Sequence, residues 1–302
     1  MKRIALMGIM ILIASQAYAV QYRLNSEFSF IEDTDYEKQR LFALGADAIF
    51  DRKSDDRVAV KAGTHTFTHR GDGEDFDLLS ASGGKSFGRN VRLEGNVAFY
   101  HSPDWSPVLY GGSLIAAPGP FRFELSGSRE LVDSLTAVRN HYLVHTAGIS
   151  ADYSITDEIT IVGAYFHQHI TDGNDRDGEI GKIIYSPGRY EWLKLAASIK
   201  HLEGEFIGIG YYSPTELTEY MGIVTLVRSF FNDRFSGRVN GGLGQRHDDD
   251  GTKLAALVNG RLRGWFNDSF GIDASVGYAN DSGSFGQYAR YYLSVVLIYA
   301  FP

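Results

Sequence analysis

The segment from Lys253 to Phe266 reads KLAALVNGRLRGWF, and its side chains alternate between two chemical classes. Lys253, Asn259, Arg261 and Arg263 share one parity, whereas the other parity carries Leu254, Ala256, Val258, Leu262 and Phe266. Because successive side chains of a β-strand leave opposite faces, this alternation predicts one polar and one apolar face. The pattern recurs so often along the chain that no second layer of protein remains to cover the apolar faces. We therefore predict an all-β fold, a single antiparallel transmembrane β-barrel with a polar lumen.

The N-terminus has the features of a secretory signal peptide. Lys2 and Arg3 precede an apolar run, Ile4 to Ala14, and residues 17–19 form an A-x-A cleavage site. This run is too short for a helix that crosses a bilayer, and no later run reaches about 18 apolar residues. The sequence thus predicts a signal peptide at residues 1–19 and a barrel at residues 20–302, placed in the outer membrane of a Gram-negative bacterium.

Composition agrees with a barrel and argues against several other classes. The chain has no cysteine, so it offers neither a disulfide framework nor a lipid attachment site. Its 19 Phe and 18 Tyr suit aromatic girdles at two membrane interfaces. A net charge of -8 argues against a nucleic-acid binder, because a polyanion would be repelled. We expect no cofactor.

The alternating segments can be laid out as a barrel of about 16 strands. Glu205 to Tyr212 (EFIGIGYY) also reads as a strand, but an odd number would put the two termini on opposite sides of the membrane. We therefore assign Glu205 to Glu216 to an extracellular excursion. The predicted strands are 22–31, 39–50, 57–68, 76–87, 90–101, 106–116, 119–130, 142–154, 159–170, 176–186, 191–203, 217–230, 234–246, 252–266, 268–281 and 285–301.

The connections alternate between two kinds, as hairpins on the two sides of a membrane should. Short periplasmic turns are predicted at Gly88 to Asn90, Pro118 to Pro120, Thr156 to Glu158, Phe231 to Asp233, and Asn267 to Asp268. Longer acidic extracellular loops are predicted at Glu32 to Lys38, Arg70 to Asp75, Thr171 to Gly178, His247 to Gly251, and Asn280 to Ser284.

The last strand ends in the aromatic Phe301, a feature that the barrel-assembly machinery recognises, although Pro302 departs from the usual ending.

Two segments resemble a known group of exporters. Gly210 to Tyr220 (GYYSPTELTEY) and Ser128 to Leu135 (SRELVDSL) resemble parts of the C-terminal barrel of cellulose synthase operon protein C. Related barrels end the poly-N-acetylglucosamine exporter and occur alone in the YaiO-type outer-membrane family. The resemblance implies a porin that passes a secreted polysaccharide through the outer membrane. Those exporters carry a periplasmic tetratricopeptide superhelix before the barrel, whereas here the predicted barrel follows the predicted signal peptide directly. The resemblance therefore also implies a separate periplasmic tetratricopeptide-repeat scaffold as a partner.

The predicted inward positions are rich in basic residues, although the whole chain is acidic. Rings of arginine and lysine favour anions in a pore, which suggests a conduit for an anionic or partly anionic polymer. Acidic residues concentrate in the loops, so the field should change sign from the mouth to the lumen. The alternative is that the bases pair with carboxylates of infolded loops. The residues assigned to the lumen are Arg92, Arg122, Lys194, Lys200, Arg234, Arg238, Arg261, Arg263 and Arg290.

The Tyr-Tyr-Ser-Pro run is assigned to the extracellular mouth. Flat aromatic faces suit the apolar faces of sugar rings, so Tyr211, Tyr212, Ser213 and Pro214 are predicted to contact the polysaccharide. The acidic loop at Asp248 to Asp250 could bridge divalent ions to lipopolysaccharide, which is an expected partner together with outer-membrane lipid.

Other functions have weaker support in the sequence. His167 and His169 share a strand face, and His141 and His145 could lie close together, but no third ligand is indicated, so we predict no metal site. An outer-membrane enzyme would need a Ser-His pair, whereas adjacent residues such as His101 and Ser102 point to opposite faces. A general small-solute porin stays open as an alternative. So does a structural or receptor barrel plugged by residues 136–141 or 205–216.

Overall fold

The computed structural model describes residues 20–34, 36–51, 54–208, 210–280 and 289–301. The predicted signal peptide at 1–19, the loop after Asn280, and Pro302 lie outside the described residues. Within the described ranges, no helix combines the length and the apolar composition needed to cross a bilayer.

Sixteen antiparallel strands form one closed barrel, as predicted. Each strand pairs with its neighbours in the chain, and β1 closes the ring on β16. One short helix, α1 (Leu135–Arg139), interrupts the pattern between β7 and β8. The strands are β1 (Gln21–Asp33), β2 (Glu37–Asp51), β3 (Asp56–His69), β4 (Asp72–Phe87), β5 (Val91–His101), β6 (Val108–Ala116), β7 (Phe121–Leu131), β8 (Leu143–Ser154), β9 (Ile159–Ile170), β10 (Asp175–Tyr185), β11 (Leu193–Gly204), β12 (Glu216–Phe230), β13 (Phe235–Asp248), β14 (Gly251–Trp265), β15 (Phe270–Ala279) and β16 (Arg290–Ala300).

The outer surface of the barrel is apolar. On β14, the strand with the clearest alternation, Leu254 and Val258 are 65% and 57% exposed, and Leu243 beside them on β13 is 66% exposed. A continuous exposed apolar surface of this kind needs a bilayer to cover it. Aromatic side chains gather where β14 ends and β13 and β15 begin, with the ring centroids of Phe235 and Phe266 5.2 Å apart, as in an interfacial girdle.

The two ends of the barrel differ. At the turn end, which also carries both termini of the described barrel, most connections are short. Phe231, Asn232 and Asp233 have positive φ there, so the turn extends through Arg234 and β13 begins at Phe235. The predicted strand start at residue 234 is therefore wrong, and Arg234 lies in a turn instead of on the lumen wall.

At the loop end, some predicted loops are tight hairpins. β3 and β4 are joined by residues 70–71, and β13 and β14 by residues 249–250. Arg70 and Gly71 both have positive φ, which matches the twist of the two strands and lets them pair up to the tip. The longer loops predicted at Arg70 to Asp75 and His247 to Gly251 are therefore wrong.

Two long connections at the loop end turn into the lumen. The first inner loop, residues 132–142, contains α1, and the second inner loop spans residues 205–215. The described residues of the second inner loop contain no strand, as predicted for residues 205–215. The loop turns inward against the first inner loop, as the alternative of a plugged barrel expects, and not outward as the predicted excursion implies. Leu135 and Val138 of α1 are 3% and 1% exposed and pack on Phe67 and Phe76, which face inward from β3 and β4. The loop-end half of the lumen thus holds an apolar core.

Candidate functional site

The inner wall of β11 to β14 presents a continuous polar surface in the turn-end half of the barrel. Its side chains share the inward parity of their strands, and neighbouring rows are set by the strand register. We call this surface the polar panel. It consists of Lys194 on β11, Thr225 on β12, Arg238 and Asn240 on β13, and Asn259, Arg261 and Arg263 on β14.

One row of the polar panel consists of Lys194 followed by an uncharged hydrogen-bond ladder of Thr225, Asn240 and Asn259. Lys194, Thr225, Asn240 and Asn259 stand opposite one another on consecutive strands. The hydroxyl of Thr225 donates to Oδ1 of Asn240 at 2.7 Å, and Nδ2 of Asn240 donates to Oδ1 of Asn259 at 2.5 Å. The ladder fixes these amides to the wall while leaving donor and acceptor capacity for a molecule in the lumen.

The next rows carry the charge. Arg261 forms a forked ion pair with Asp273 of β15, at 2.8 and 2.6 Å. Nε of Arg263 lies 3.8 Å from the same carboxylate. Within the part of the chain that the structure describes, the side chains of Lys194 and Arg238 make no hydrogen bond or ion pair. Arg261 and Arg263 therefore share one carboxylate, which leaves the charges of Lys194 and Arg238 uncompensated by any described neighbour.

Two of the predicted lumen residues serve the wall itself. The guanidinium of Arg92 donates to the carboxylate of Glu94 and to the carbonyl oxygens of Ser54 and Asp55, so it holds the turn between β2 and β3. Arg122 pairs with Glu124 at 2.9 Å and lies 3.7 Å from Asp152. Both face the lumen, as predicted, but their charge is compensated by neighbours.

The remaining predicted lumen residues lie near the ends. Lys200 faces inward and stands opposite Glu219 in the register of β11 and β12. Arg290 binds Asp133 of the first inner loop at 2.7 Å, which is the pairing with an infolded loop that the alternative interpretation expected. Nη1 of Arg234 donates to the carbonyl oxygen of Phe266 at 3.4 Å, within the turn-end connections.

The first inner loop is anchored to several strands around the barrel. Asp133 holds β16 through Arg290, and the backbone N–H of Leu135 donates to Glu37 of β2 at 3.1 Å. Arg139 at the end of α1 forms a forked ion pair with Asp72 of β4, at 2.5 and 2.7 Å. These contacts, together with the apolar packing of α1, hold the loop inside the lumen.

The two segments that resemble exporter barrels meet in the structure. Ser134, from SRELVDSL, caps α1 by accepting a hydrogen bond from the N–H of Ala137 at 3.1 Å. Its hydroxyl also donates to the carbonyl oxygen of Gly210, the first residue of GYYSPTELTEY. Tyr142 and Tyr211 pack edge to face, with ring centroids 6.3 Å apart. The motifs thus join the two inner loops.

The Tyr-Tyr-Ser-Pro run is held by its own hydroxyl groups. Tyr211 donates to Asp172 at 2.6 Å and Tyr212 donates to Asp248 at 3.1 Å. Burial, with the adjacent carboxylates, raises the pKa of both phenols well above the usual value, so both remain hydrogen-bond donors. Ser213 is 2% exposed and Pro214 is also buried. The predicted sugar contacts of these residues therefore depend on the faces of the tyrosine rings.

A cavity of about 430 Å³ lies between the inner loops and the wall at the loop end. Tyr211, Tyr212, Ser213 and Pro214 all line it. Its other walls carry six carboxylates, and three bases, Arg290, Arg246 and Lys253, pair with Asp133, Asp248 and Asp250 among them. The six are Asp33, Glu37, Asp133, Asp248, Asp249 and Asp250. Acidic groups thus concentrate at the loop end of the lumen and basic groups at the turn end. This distribution is the one expected if the electrostatic field changes sign from the mouth to the lumen.

The histidines singled out in the sequence lie outside this arrangement. His167 and His169 face outward and contact Asp177 at 3.1 Å and Asp175 at 2.6 Å. His141 stacks on Trp105, with ring centroids 4.7 Å apart. Among the residues that the structure describes, no group of three or more His, Cys, Asp or Glu side chains could hold a metal ion.

Sequence analysis missed several residues of the site. Thr225 and Asn240 have the inward parity, but only the register shows that they form one ladder with Asn259. Arg176 is not among the site residues predicted from the sequence. It is 4% exposed and supports the second inner loop, donating to Gln168 at 2.8 Å and to the carbonyl oxygen of Tyr212 at 3.3 Å. No short-range pattern signals that contact.

Replacing Asn174 with alanine should loosen the second inner loop. Asn174 is fully buried, and its Nδ2 lies within hydrogen-bond distance of the carbonyl oxygen of Phe206, the Tyr211 hydroxyl and the Ser213 hydroxyl, at 3.0, 3.2 and 2.9 Å. Leaving buried partners unsatisfied costs about 1–3 kcal/mol. We expect faster amide hydrogen exchange across residues 205–215 of the refolded barrel.

The matched control is Asn140→Ala at the end of α1. That asparagine is exposed, and within the described residues its side chain makes no hydrogen bond. The control should leave exchange in the second inner loop unchanged. Equal exchange in the Asn174→Ala variant and the unmodified chain would show that Asn174 does not hold the loop.

Comparison with known proteins bears on the fold. No protein-family model and no curated protein matches the sequence. The structure is similar to that of a bacterial polysaccharide outer membrane secretin, with a TM-score of 0.67 and 12% identity, covering 94% of this chain and 98% of that chain. OpdK of Pseudomonas aeruginosa, solved with vanillate, gives a TM-score of 0.46 at 8% identity, covering 94% and 98%. A mutant of the Rh. blastica porin gives 0.40 at 12% identity, covering 93% and 100%. At such identities, the likeness concerns the barrel fold.

Proposed function

We propose that this chain is an outer-membrane barrel through which a polysaccharide is exported. The observation that carries the proposal is the polar panel, where amide, hydroxyl and cationic groups line the lumen in consecutive rows. A sugar chain presents many hydroxyl groups, which such a wall can bind and release in succession. The fold likeness to the polysaccharide secretin supports the same function, as do the two segments that resemble exporter barrels.

The proposal places the protein among outer-membrane lipid and lipopolysaccharide. The apolar outer surface would contact the lipid, and loop carboxylates such as Asp249 and Asp250 would face the lipopolysaccharide region. The barrel-assembly machinery would insert the chain into the membrane. A periplasmic tetratricopeptide-repeat scaffold would deliver the polymer to the turn end.

A second candidate is a closed barrel with a structural or receptor role. The inner loops favour it, because α1 packs its apolar side chains inside the lumen and the first inner loop is anchored to β2, β4 and β16. A general small-solute porin is a third, coarser alternative. An enzyme has the least support, since the fold neighbours named above are a secretin, a porin and OpdK.

Deleting the chain from its native bacterium should lower the amount of secreted polysaccharide and leave polymer in the periplasm. Expression of the unmodified chain should restore secretion. Uptake of a small β-lactam, measured in the same strains, reports on ordinary porin activity and should not change.

The alternatives give different results in this experiment. Reduced β-lactam uptake with normal secretion would identify a small-solute porin. Normal β-lactam uptake with normal secretion would favour the structural or receptor barrel. Either of these two results would show that the export proposal is wrong.

A further inference from the structure

Arg238 is placed where a structural role does not explain its charge. It faces the lumen on β13, is exposed, and stands directly opposite Arg261 of β14. Like charges directly opposite on neighbouring strands are destabilising. The forked contact of Asp273 satisfies Arg261, while Arg238 has no ion pair among the described residues.

Lys194 repeats this situation two strands away. It faces the lumen near the start of β11, opposite Thr225, and likewise has no ion pair within the described residues. The inward positions closest to it in the register are the hydroxyl and amides of the ladder. Neighbouring strands lie about 4.8 Å apart, so Lys194 and Arg238 frame a short stretch of uncharged donors and acceptors.

The chemistry of this stretch suits an acidic sugar. Guanidinium groups bind carboxylates and phosphates through parallel N–H donors, whereas an ammonium group acts as a point charge. Asn240 beside Arg238 and Asn259 on the next strand offer amide groups that suit hydroxyls. A neutral polymer would need the ladder but not the uncompensated bases.

We propose that the polar panel is a binding site for the acidic groups of the transported polysaccharide, with Arg238 and Lys194 as its specificity-determining residues. This inference rests on the proposed export function for the identity of the polymer, but not for the presence of an anion site. Arg263, which is also exposed and only 3.8 Å from Asp273, adds a further cationic contact at the turn end.

Binding to the protein refolded in detergent micelles tests the site directly. The probes are a galacturonic acid hexamer and maltohexaose, titrated by calorimetry at low ionic strength. We expect the acidic hexamer to bind at least about tenfold more tightly than the neutral one, the difference that charge-assisted contacts typically make. The Lys194→Gln/Arg238→Gln variant should weaken binding of the acidic hexamer by about tenfold and leave maltohexaose unchanged.

The matched control removes a base from the opposite face of the same wall. Arg228 on β12 has the outward parity and lies opposite Gly237 of β13, so Arg228→Gln changes the net charge without changing the lumen. The control should bind both hexamers like the unmodified chain. The control removes one positive charge and the test variant removes two. An equal loss per charge removed would show that the effect comes from overall charge, and the assignment of the panel would be wrong.

Two outcomes separate this inference from the export proposal. Equal binding of the two hexamers would overturn the acidic specificity, even if deletion of the chain lowers secretion. Tight binding of the acidic hexamer that depends on Lys194 and Arg238, with normal secretion after deletion, would support the anion site and contradict export. Reversal potentials in planar bilayers give a second readout, and a cation preference of the unmodified chain would also overturn the site.

Discussion

Replacing Leu135 and Val138 with aspartate should raise the single-channel conductance of the refolded barrel severalfold. Both side chains are buried against Phe67 and Phe76 inside the lumen. Burying an unpaired carboxylate costs several kcal/mol, so two of them should expel α1 from its apolar pocket. The barrel itself should persist, because its closed hydrogen-bond ladder does not include the first inner loop.

Thr136→Asp is the matched control, since it introduces the same group at an exposed position of α1. Its conductance should equal that of the unmodified chain. If the Leu135→Asp/Val138→Asp variant also conducts like the unmodified chain while migrating as a folded barrel, the first inner loop does not limit passage. The narrowest part of the lumen would then lie elsewhere.

Gly244→Ala should prevent the barrel from folding. A Cβ atom at this position of β13 would overlap the carbonyl oxygen of Tyr220 and lie 2.8 Å from Cα of Met221. Both atoms belong to the backbone of β12, which cannot move without breaking the paired register of the two strands. The measurement is the heat-dependent shift in gel mobility that distinguishes a folded barrel from an unfolded chain.

Gly95→Ala provides the comparison for this variant. Its Cβ atom would meet only the carbonyl oxygen of Gly111, at 3.5 Å, which is ordinary van der Waals contact. Alanine at a compatible strand position should stabilise the barrel by about 0.5–1 kcal/mol, because the unfolded chain loses freedom. Folding of both variants alike would contradict the close approach of β12 and β13 at Gly244.

The strands could be predicted because polar and apolar side chains alternate within each of them, one set facing the lumen and the other the lipid. Arg92, Glu94 and Asn96 alternate with apolar residues on β5, and the structure places the polar set in the lumen. The even strand number followed from the positions of the termini, and it correctly excluded EFIGIGYY as a strand. Such inferences need only the period of a strand and the geometry of a closed sheet.

The charge pattern of the site could be predicted only in part. Parity puts Arg238 and Arg261 on one face, but their opposition depends on the register of β13 and β14, which is set by the hairpin at residues 249–250. The inner loops were named only as one alternative, because their positions depend on long-range contacts. Ser134 reaches Gly210 across 76 residues of sequence, and no local pattern records such a contact.

The opposite charges at the two ends of the lumen make the pore an electrical junction. Fixed bases line the turn-end half, while the cavity at the loop end is lined by carboxylates. Each half concentrates mobile ions of the opposite sign. A voltage that drives cations and anions toward the boundary between the two halves raises the ion concentration there. The reverse voltage lowers it. The protein should therefore rectify, conducting more current for one orientation of the field than for the other.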